Sequence, residues 1–462
     1  MSAQTGGSLA GRPSVLVAGG GLAGIAAACD LAAAGLDVTL VEKRPFLGGR
    51  SYSYVDKRSR VEVDNGQHVF LGCCTEYIAF LKRLGVWHKA KLQRRLHVRV
   101  IDKMWGESVL RGERLPAPLH LLPSLLRFRS LSPAEKARAA YAMARIRSLD
   151  RVARRALDGV TFADWLRRHG QSENAIRGFW NLIILPTLNG DVTTVSADLA
   201  LMVFQEGFLR SRDGGNVGWA RVGLSALLAE AAREYIESRG GAVRLGEGIS
   251  GLRLDEGRAF AAGDDSDYVL LALDPPSLTP LLPKQLREDP FFGRIGHIQT
   301  SPIVNVHLWY DRKVTDMDFA AFLNTPMQWV FNKSKLWGQE GEGQYLDISL
   351  SGADGFVDMP TRDVVGLFSR EVQALFPRAR TAELRRGLVV KQRDATFAAR
   401  PGIAALRPSQ RTPVQNLFLA GDWTDTGWPA TMESAVRSGR MAAREVLKAA
   451  GRRSGKEVVA AT

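Results

Sequence analysis

Residues 15–50 read VLVAGGGLAGIAAACDLAAAGLDVTLVEKRPFLGGR, and their reading decides the fold. An apolar run at 14–18 leads into Gly19-x-Gly21-x-x-Gly24. Alanine-rich helix formers continue to Ala34, and Gly35 stands where a helix C-terminal cap belongs. A β-branched run at 38–41 then ends at Glu42. Strand, tight turn, helix, strand and acid in that order predict a dinucleotide-binding βαβ unit. Gly19 permits the turn, Gly21 lets the backbone close on a pyrophosphate, and Gly24 lets helix and strand pack closely. The start of the helix offers free N–H groups and the positive end of its dipole to the phosphates. Glu42 is placed to accept from both ribose hydroxyls and would repel a 2′-phosphate, which argues against NADP. A membrane helix or secretory leader is excluded here: the glycines and Asp30 interrupt the run, and no basic n-region or cleavage pattern frames it.

Outward from this unit, 462 residues suffice for a large core in two lobes. No apolar run approaches the ~20 residues that span a bilayer. Cys29, Cys73 and Cys74 make no disulfide framework and indicate a reducing compartment. The adjacent pair reads as small buried residues. The net charge of +14 and pI near 9.9 ask for an anionic partner. Without zinc-finger spacing, an RNP pattern or a helix-turn-helix signature, nucleic acid is not that partner. Residues 115–131 (LPAPLHLLPSLLRFRSL) place leucines beside Arg127 and Arg129. From 127 to 155 nine basic residues face two acidic ones, half of the chain's net charge in one segment. Apolar residues next to concentrated cations predict docking on an anionic membrane surface.

Several further stretches carry chemistry. Gly48-Gly49-Arg50 puts a guanidinium near the cofactor phosphates, a geometry that suits bidentate contact. Residues 61–68 (VEVDNGQH) are a strand that breaks into a polar turn. Residues 75–85 read as a helix closed by Gly85. Ser132-Pro133-Ala134-Glu135 is a capping box, and Thr161 opens another helix. Strands are predicted at 243–245, 249–254 and 268–273, and residues 302–350 alternate apolar and polar positions like a sheet walling a cavity. Residues 416–423 (NLFLAGDW) form a strand ending at Gly421-Asp422. A helix follows from about Thr431 to Leu447. Asp422 is placed to accept from a ribityl hydroxyl. With a flavin bound, the N–H groups at the helix start would face the ring edge that becomes anionic on reduction. No second strand–GxGxxG–helix follows, so electrons arrive from an external donor or from the substrate itself. HExxH, Cys/His clusters and GxSxG are also absent, and no metal is expected.

GxGxxG, GGR, DxGxH and AGDW in this order resemble the flavin-containing amine oxidase and phytoene desaturase superfamily. Within it, residues 64–85, 301–312 and 395–439 are similar to the squalene-associated hydroxysqualene dehydroxylases. Residues 390–397 (VKQRDATF) depart from the usual order there, and Lys391 and Arg393 receive no role. The resemblance implies an α/β fold with a Rossmann-like FAD-binding domain built from residues 14–95, 214–300 and 386–450. It also implies a discontinuous substrate domain, with membrane-facing helices at 96–213 and an antiparallel sheet at 301–385. FAD would lie against Gly19, Gly21, Leu22, Ala23, Gly24, Glu42, Lys43, Gly49, Arg50, Gln67, His68, Ile249, Gly421, Asp422, Thr431 and Met432. The implied reaction is reductive: a C30 isoprenoid allylic alcohol loses water, and hydride from reduced flavin yields squalene. His68 is the candidate proton donor. Trp309, Trp329, Phe331, Trp423 and Trp428 are candidates to line an apolar tunnel. The expected location is cytoplasmic, peripheral on the inner face of the cell membrane. The alternatives are an oxidative desaturase of a linear polyene of the phytoene or diapophytoene type, an amine or protoporphyrinogen oxidase, and a flavin-binding scaffold without turnover.

Overall fold

A computed structural model describes residues 11–57 and 60–451; the Gly, Ser and polar composition of residues 1–13 reads in sequence as a loose tail, and residues 1–10 of it lie outside the described residues. Strand β1 (Ser14–Ala18) has its apolar residues buried on both faces, as a central parallel strand requires. It is followed by helix α1 (Leu22–Ala33) and strand β2 (Asp37–Glu42). The sheet has five parallel strands in the order Ala242–Leu245, β2, β1, Tyr268–Leu271, Leu417–Leu419. Successive connections leave β1 in opposite directions, so a crevice opens at its C-terminal end. Ile25, Ala26, Ala27 and Ala28 are all fully buried, and the three alanines let α1 pack closely. The C-terminal helix Met432–Ala449 crosses α1 at Gly439, where a Cβ would stand 2.1 Å from Ala23 O.

The second lobe is a seven-stranded sheet. Its strands run in the order Leu384–Phe397, Thr300–Tyr310, Gln344–Ser351, Trp329–Asn332, Phe319–Leu323, His97–Asp102, Gly106–Arg111. All neighbours are antiparallel except Phe319–Leu323 with His97–Asp102. The alternation along Thr300–Tyr310 sorts its residues as expected. Val304, Val306 and Leu308 pack under helix Thr361–Leu375, while Ile303, Asn305 and His307 face the other way. Helices between residues 122 and 209 bury Phe128, Phe162, Trp180 and Phe204 in the core that closes the cavity from the side. Among the described residues no helix is long and apolar enough to cross a membrane.

Three expectations change. The segment at 96–213 opens with two strands, His97–Asp102 and Gly106–Arg111, before its helices begin. The boundary at 385/386 cuts through the fourteen-residue strand Leu384–Phe397, an edge strand whose charged residues hid its period. Ile249 lies in a loop, because Gly246, Gly248 and Gly251 break the run expected as a strand over 249–254; only Leu252–Asp255 forms one. The helix starts, by contrast, stand where their caps placed them. Ser132 makes a full capping box, Thr161 accepts from Asp164 N, and Thr431 accepts from Ser434 N.

Candidate functional site

A cavity of about 680 Å³ begins at the ends of the parallel strands and extends beneath the seven-stranded sheet. Its first part is built from backbone. Gly19 has φ +111°, and a Cβ on it would stand 2.5 Å from Ala272 O; one on Gly24 would stand 1.9 Å from Gly19 O. Both positions require glycine. Gly21 differs: a Cβ there would meet nothing closer than Gly49 Cα at 3.8 Å, so its missing side chain leaves the cavity open. Gly21 caps α1 without a side-chain hydrogen bond, and Leu22 and Ala23 of the first turn line the cavity. Glu42 is pinned by backbone, with Oε2 accepting from Gly20 N (2.7 Å) and Oε1 from Arg44 N (2.9 Å). Each oxygen keeps a second lone pair for a ribose hydroxyl. Lys43 and Ile249 line the same stretch.

The far end of the chain closes this part. Gly421 and Asp422 follow strand Leu417–Leu419, and Thr431 and Met432 begin the C-terminal helix. Arg50, expected on the phosphates, instead donates to Asp422 Oδ1 (2.5 Å) and Ala395 O (2.7 Å). The phosphate reading is corrected to that extent. A partly buried guanidinium takes the nearest carboxylate, and the pair ties together residues 372 positions apart. An uncapped helix start, an open Gly21, a fixed Glu42 and a cavity-lining Asp422 fit FAD. All the expected cofactor residues line the cavity except Gly24, which packs beneath its floor.

The loop at 64–68 sits where cradle and chamber meet. His68 Nδ1 lies 3.0 Å from Gly66 O. A carbonyl accepts only, so Nδ1 carries the proton and Nε2 a lone pair. Burial holds the imidazole pKa below its ordinary value. His68 is therefore a neutral acceptor, and the geometry suits a base better than the proton donor the sequence suggested. Beneath it, Asp64 pairs with Lys333 at 2.6 Å, both 1% exposed, and Lys333 Nζ also donates to Gln67 Oε1 (2.9 Å). Lys333 went unnoticed in sequence because a lysine at the end of a strand signals only solvent. Cys73 and Cys74 also line the cavity; the hydrogen bond between them and then burial push the Cys74 thiol well up, which leaves it unreactive.

Beyond this loop the chamber is apolar, walled by Leu110, Leu182, Met202, Val203, Trp329 and Phe331. Trp423 and Trp428 line the cavity as expected, but Trp309 does not; it stacks on Tyr345 with ring centroids 4.5 Å apart. Glu206, also missed in sequence, reaches the wall and is paired with Arg210.

A Rossmann-like cradle opening into an apolar chamber under a mixed sheet defines an FAD-dependent oxidoreductase. The chain belongs to the flavin containing amine oxidoreductase family, whose pattern matches residues 22–447. It is 28% identical to a zeta-carotene desaturase of Arabidopsis thaliana over 94% of this chain and 85% of that one. It is 27% identical to a 15-cis-phytoene desaturase of Synechococcus elongatus over 94% and 95%. The fold matches a solved oxidoreductase from Methanosarcina mazei with TM-score 0.72 at 18% identity, over 92% of this chain and 99% of that one.

Proposed function

We propose that the chain performs two-electron chemistry on a long linear isoprenoid. The carrying observation is the chamber wall of Leu110, Leu182, Met202, Val203, Trp329 and Phe331, continuous with the cofactor cradle. FAD, when bound, supplies the two-electron acceptor or donor. The carotenoid desaturases among the relatives support oxidation of a polyene, in which the substrate gives up a hydride equivalent and a proton. The residues on this chain suit that direction: the apolar wall excludes water, and His68 Nε2 offers a lone pair for the proton. A second reading, reductive dehydroxylation of the C30 alcohol hydroxysqualene, is supported by the resemblance at residues 64–85, 301–312 and 395–439. It requires an external electron donor and an acid at the leaving oxygen, which a neutral His68 serves poorly. Product analysis separates the two. Oxidised enzyme incubated with phytoene or ζ-carotene yields added double bonds under the first reading; reduced enzyme with hydroxysqualene yields squalene under the second. Neither product from either incubation overturns the isoprenoid reading.

The same proposal includes an anionic membrane surface as the route of entry, with the protein peripheral on the cytoplasmic side. Its location on the molecule shifts. Arg154 is buried against Asp198 at 2.8 Å, and Arg155 pairs with Asp198 and Asp425, so two of the nine cations serve the interior. What faces outward is a leucine stripe, Leu115, Leu119, Leu122 and Leu126, all exposed and spaced at helical intervals, next to exposed Arg127 and Arg129. Helix Leu122–Arg127 is fastened to strand Gly106–Arg111 by Ser124 Oγ donating to Arg111 O (2.7 Å). Leu110 of that strand lines the chamber, so the stripe lies just outside the chamber wall. Co-sedimentation with anionic vesicles tests this: Leu119→Gln with Leu126→Gln releases the protein, and unchanged binding overturns the assignment.

A further inference from the structure

Beyond the cradle, several polar side chains on the chamber wall are committed within the protein. Thr187 Oγ1 donates to Ile183 O (2.7 Å), Asn189 Nδ2 donates to Ser301 O (3.0 Å) and Thr396 Oγ1 (2.9 Å), and Glu206 is paired with Arg210. Four others are not, and the seven-stranded sheet sets them side by side. Asn305 stands opposite Ser349, and Ile303 lies between Gln392 on one neighbouring strand and Ser351 on the other. Residues directly opposite share a face with Cβ atoms about 5 Å apart, and residues two apart on a strand share it at about 7 Å. All five line the cavity. Asn305 is 2% exposed and its Oδ1 has no hydrogen-bond partner. The Ser349 and Ser351 hydroxyls and the Gln392 amide likewise take none among the described residues. Buried polar atoms left so are uncommon and call for a reason. The patch also touches the loop at 64–68. A Cβ on Gly66 would run into the Asn305 amide, so its missing side chain lets that loop lie against Asn305.

What such a patch costs depends on the ligand. Water satisfies these groups until an apolar chain displaces it. A pure hydrocarbon then strips four polar side chains and returns no hydrogen bond. A hydroxyl donates one proton and accepts through two lone pairs, so a single one meets the Asn305 Oδ1 acceptor and a serine O–H donor together. We propose that this patch, with Asn305 and Ser349 at its centre, is a subsite for a hydroxyl on the isoprenoid and selects an alcohol over the parent hydrocarbon. Trp329 stands opposite Ser349 on its other side, with Phe331 two residues on, so the chain leaving the hydroxyl meets apolar wall at once. The proposal rests on the isoprenoid reading of the chamber and not on the direction of electron flow.

A matched pair of C30 probes tests the subsite. Squalene and hydroxysqualene differ by one hydroxyl, and each is titrated from detergent micelles into oxidised holoenzyme while the visible flavin band reports occupancy. The alcohol binds the wild type about tenfold or more tighter than the hydrocarbon. Asn305→Leu fills a similar volume without hydrogen-bonding groups. It weakens the alcohol about tenfold, leaves squalene bound as well or better, and so erases the preference. Ser349→Ala, a change small enough to spare the fold, lowers the preference about threefold and retains flavin. Equal affinities in the wild type, or a preference undiminished in either variant, overturn the subsite and leave the isoprenoid reading standing. Loss of flavin from folded Ser349→Ala assigns the patch to the cofactor and overturns the subsite as well. Binding of neither probe fails the isoprenoid reading itself, and the subsite with it.

Discussion

The two walls of the cavity hold their contents by different means. On the parallel-sheet side the wall is backbone: Gly19 and Gly21 line the cavity, Gly24 packs beneath its floor, and the side chains of Glu42 and Asp422 are fixed by hydrogen bonds to the Gly20 and Arg44 N–H groups and by the ion pair with Arg50. On the seven-stranded side contact is made by side chains, and a buried network of Asp64, Lys333, Asp347, His307 and Tyr345 stands behind them. At Gly19 and Gly24 the first wall has no room for an added atom. The second tolerates no unbalanced charge.

Substitutions divide along that line. Lys333→Met leaves Asp64 buried without its cation and costs about 3–5 kcal/mol of stability, much of it recovered when Asp64→Asn is added. Denaturant melts of the single and double variants check this; an additive double variant breaks the charge rule for this wall. Next comes Asp347→Asn. The native Asp347 pKa is raised from 3.8 to about 7, so the folded state holds this proton more tightly than the unfolded chain does. Wild-type stability from this group is complete at low pH and lost as pH rises through that window, by about 4 kcal/mol in full. The variant lacks that loss, so its advantage over wild type grows between those two values and then levels. His307, depressed from 6.5 to about 3, acts with the opposite sign, costing stability as pH falls below 6.5, and is common to both proteins. Thermal melts across this range read the difference; parallel curves contradict it.

The glycine wall yields smaller but equally divided effects. Gly24→Ala meets backbone at 1.9 Å and costs about 3 kcal/mol together with flavin retention. Gly21→Ala points into open space and leaves the melting temperature nearly unchanged while weakening flavin uptake. Equal losses of stability in the two variants would erase the distinction. Smallest is Thr431→Ala, which removes the cap accepting from Ser434 N and costs about 1 kcal/mol by denaturant titration.

The same contrast explains what the sequence revealed. Backbone roles leave glycine, and glycine at fixed offsets is readable, so β1, α1, β2 and the strand-to-helix turn at Gly421–Thr431 stand as read. Cap residues are equally local, and Ser132, Thr161 and Thr431 opened their helices on cue. Pairings across the chain are not local. Nothing near Arg50 announces Asp422, and nothing near Asp64 announces Lys333. The strand Leu384–Phe397 was hidden because an edge strand accepts charged residues on both faces, and the basic run at 127–155 could not reveal that Arg154 is buried against Asp198 and that Arg155 pairs with Asp198 and Asp425. His307 was visible as a polar member of an alternating strand. Its meaning came only from the neighbour strand that sets Asp347 opposite it.

The central claim is that one cavity joins bound FAD to a long isoprenoid, and rapid anaerobic mixing tests it most directly. Oxidised holoenzyme is mixed with phytoene or ζ-carotene in anionic vesicles, and photoreduced holoenzyme with hydroxysqualene, while the visible flavin band is followed. Bleaching in the first mixture is the expected result, and recovery of the band in the second marks the reductive reading instead. A flavin band unchanged in both would contradict the assignment of the apolar chamber to an isoprenoid.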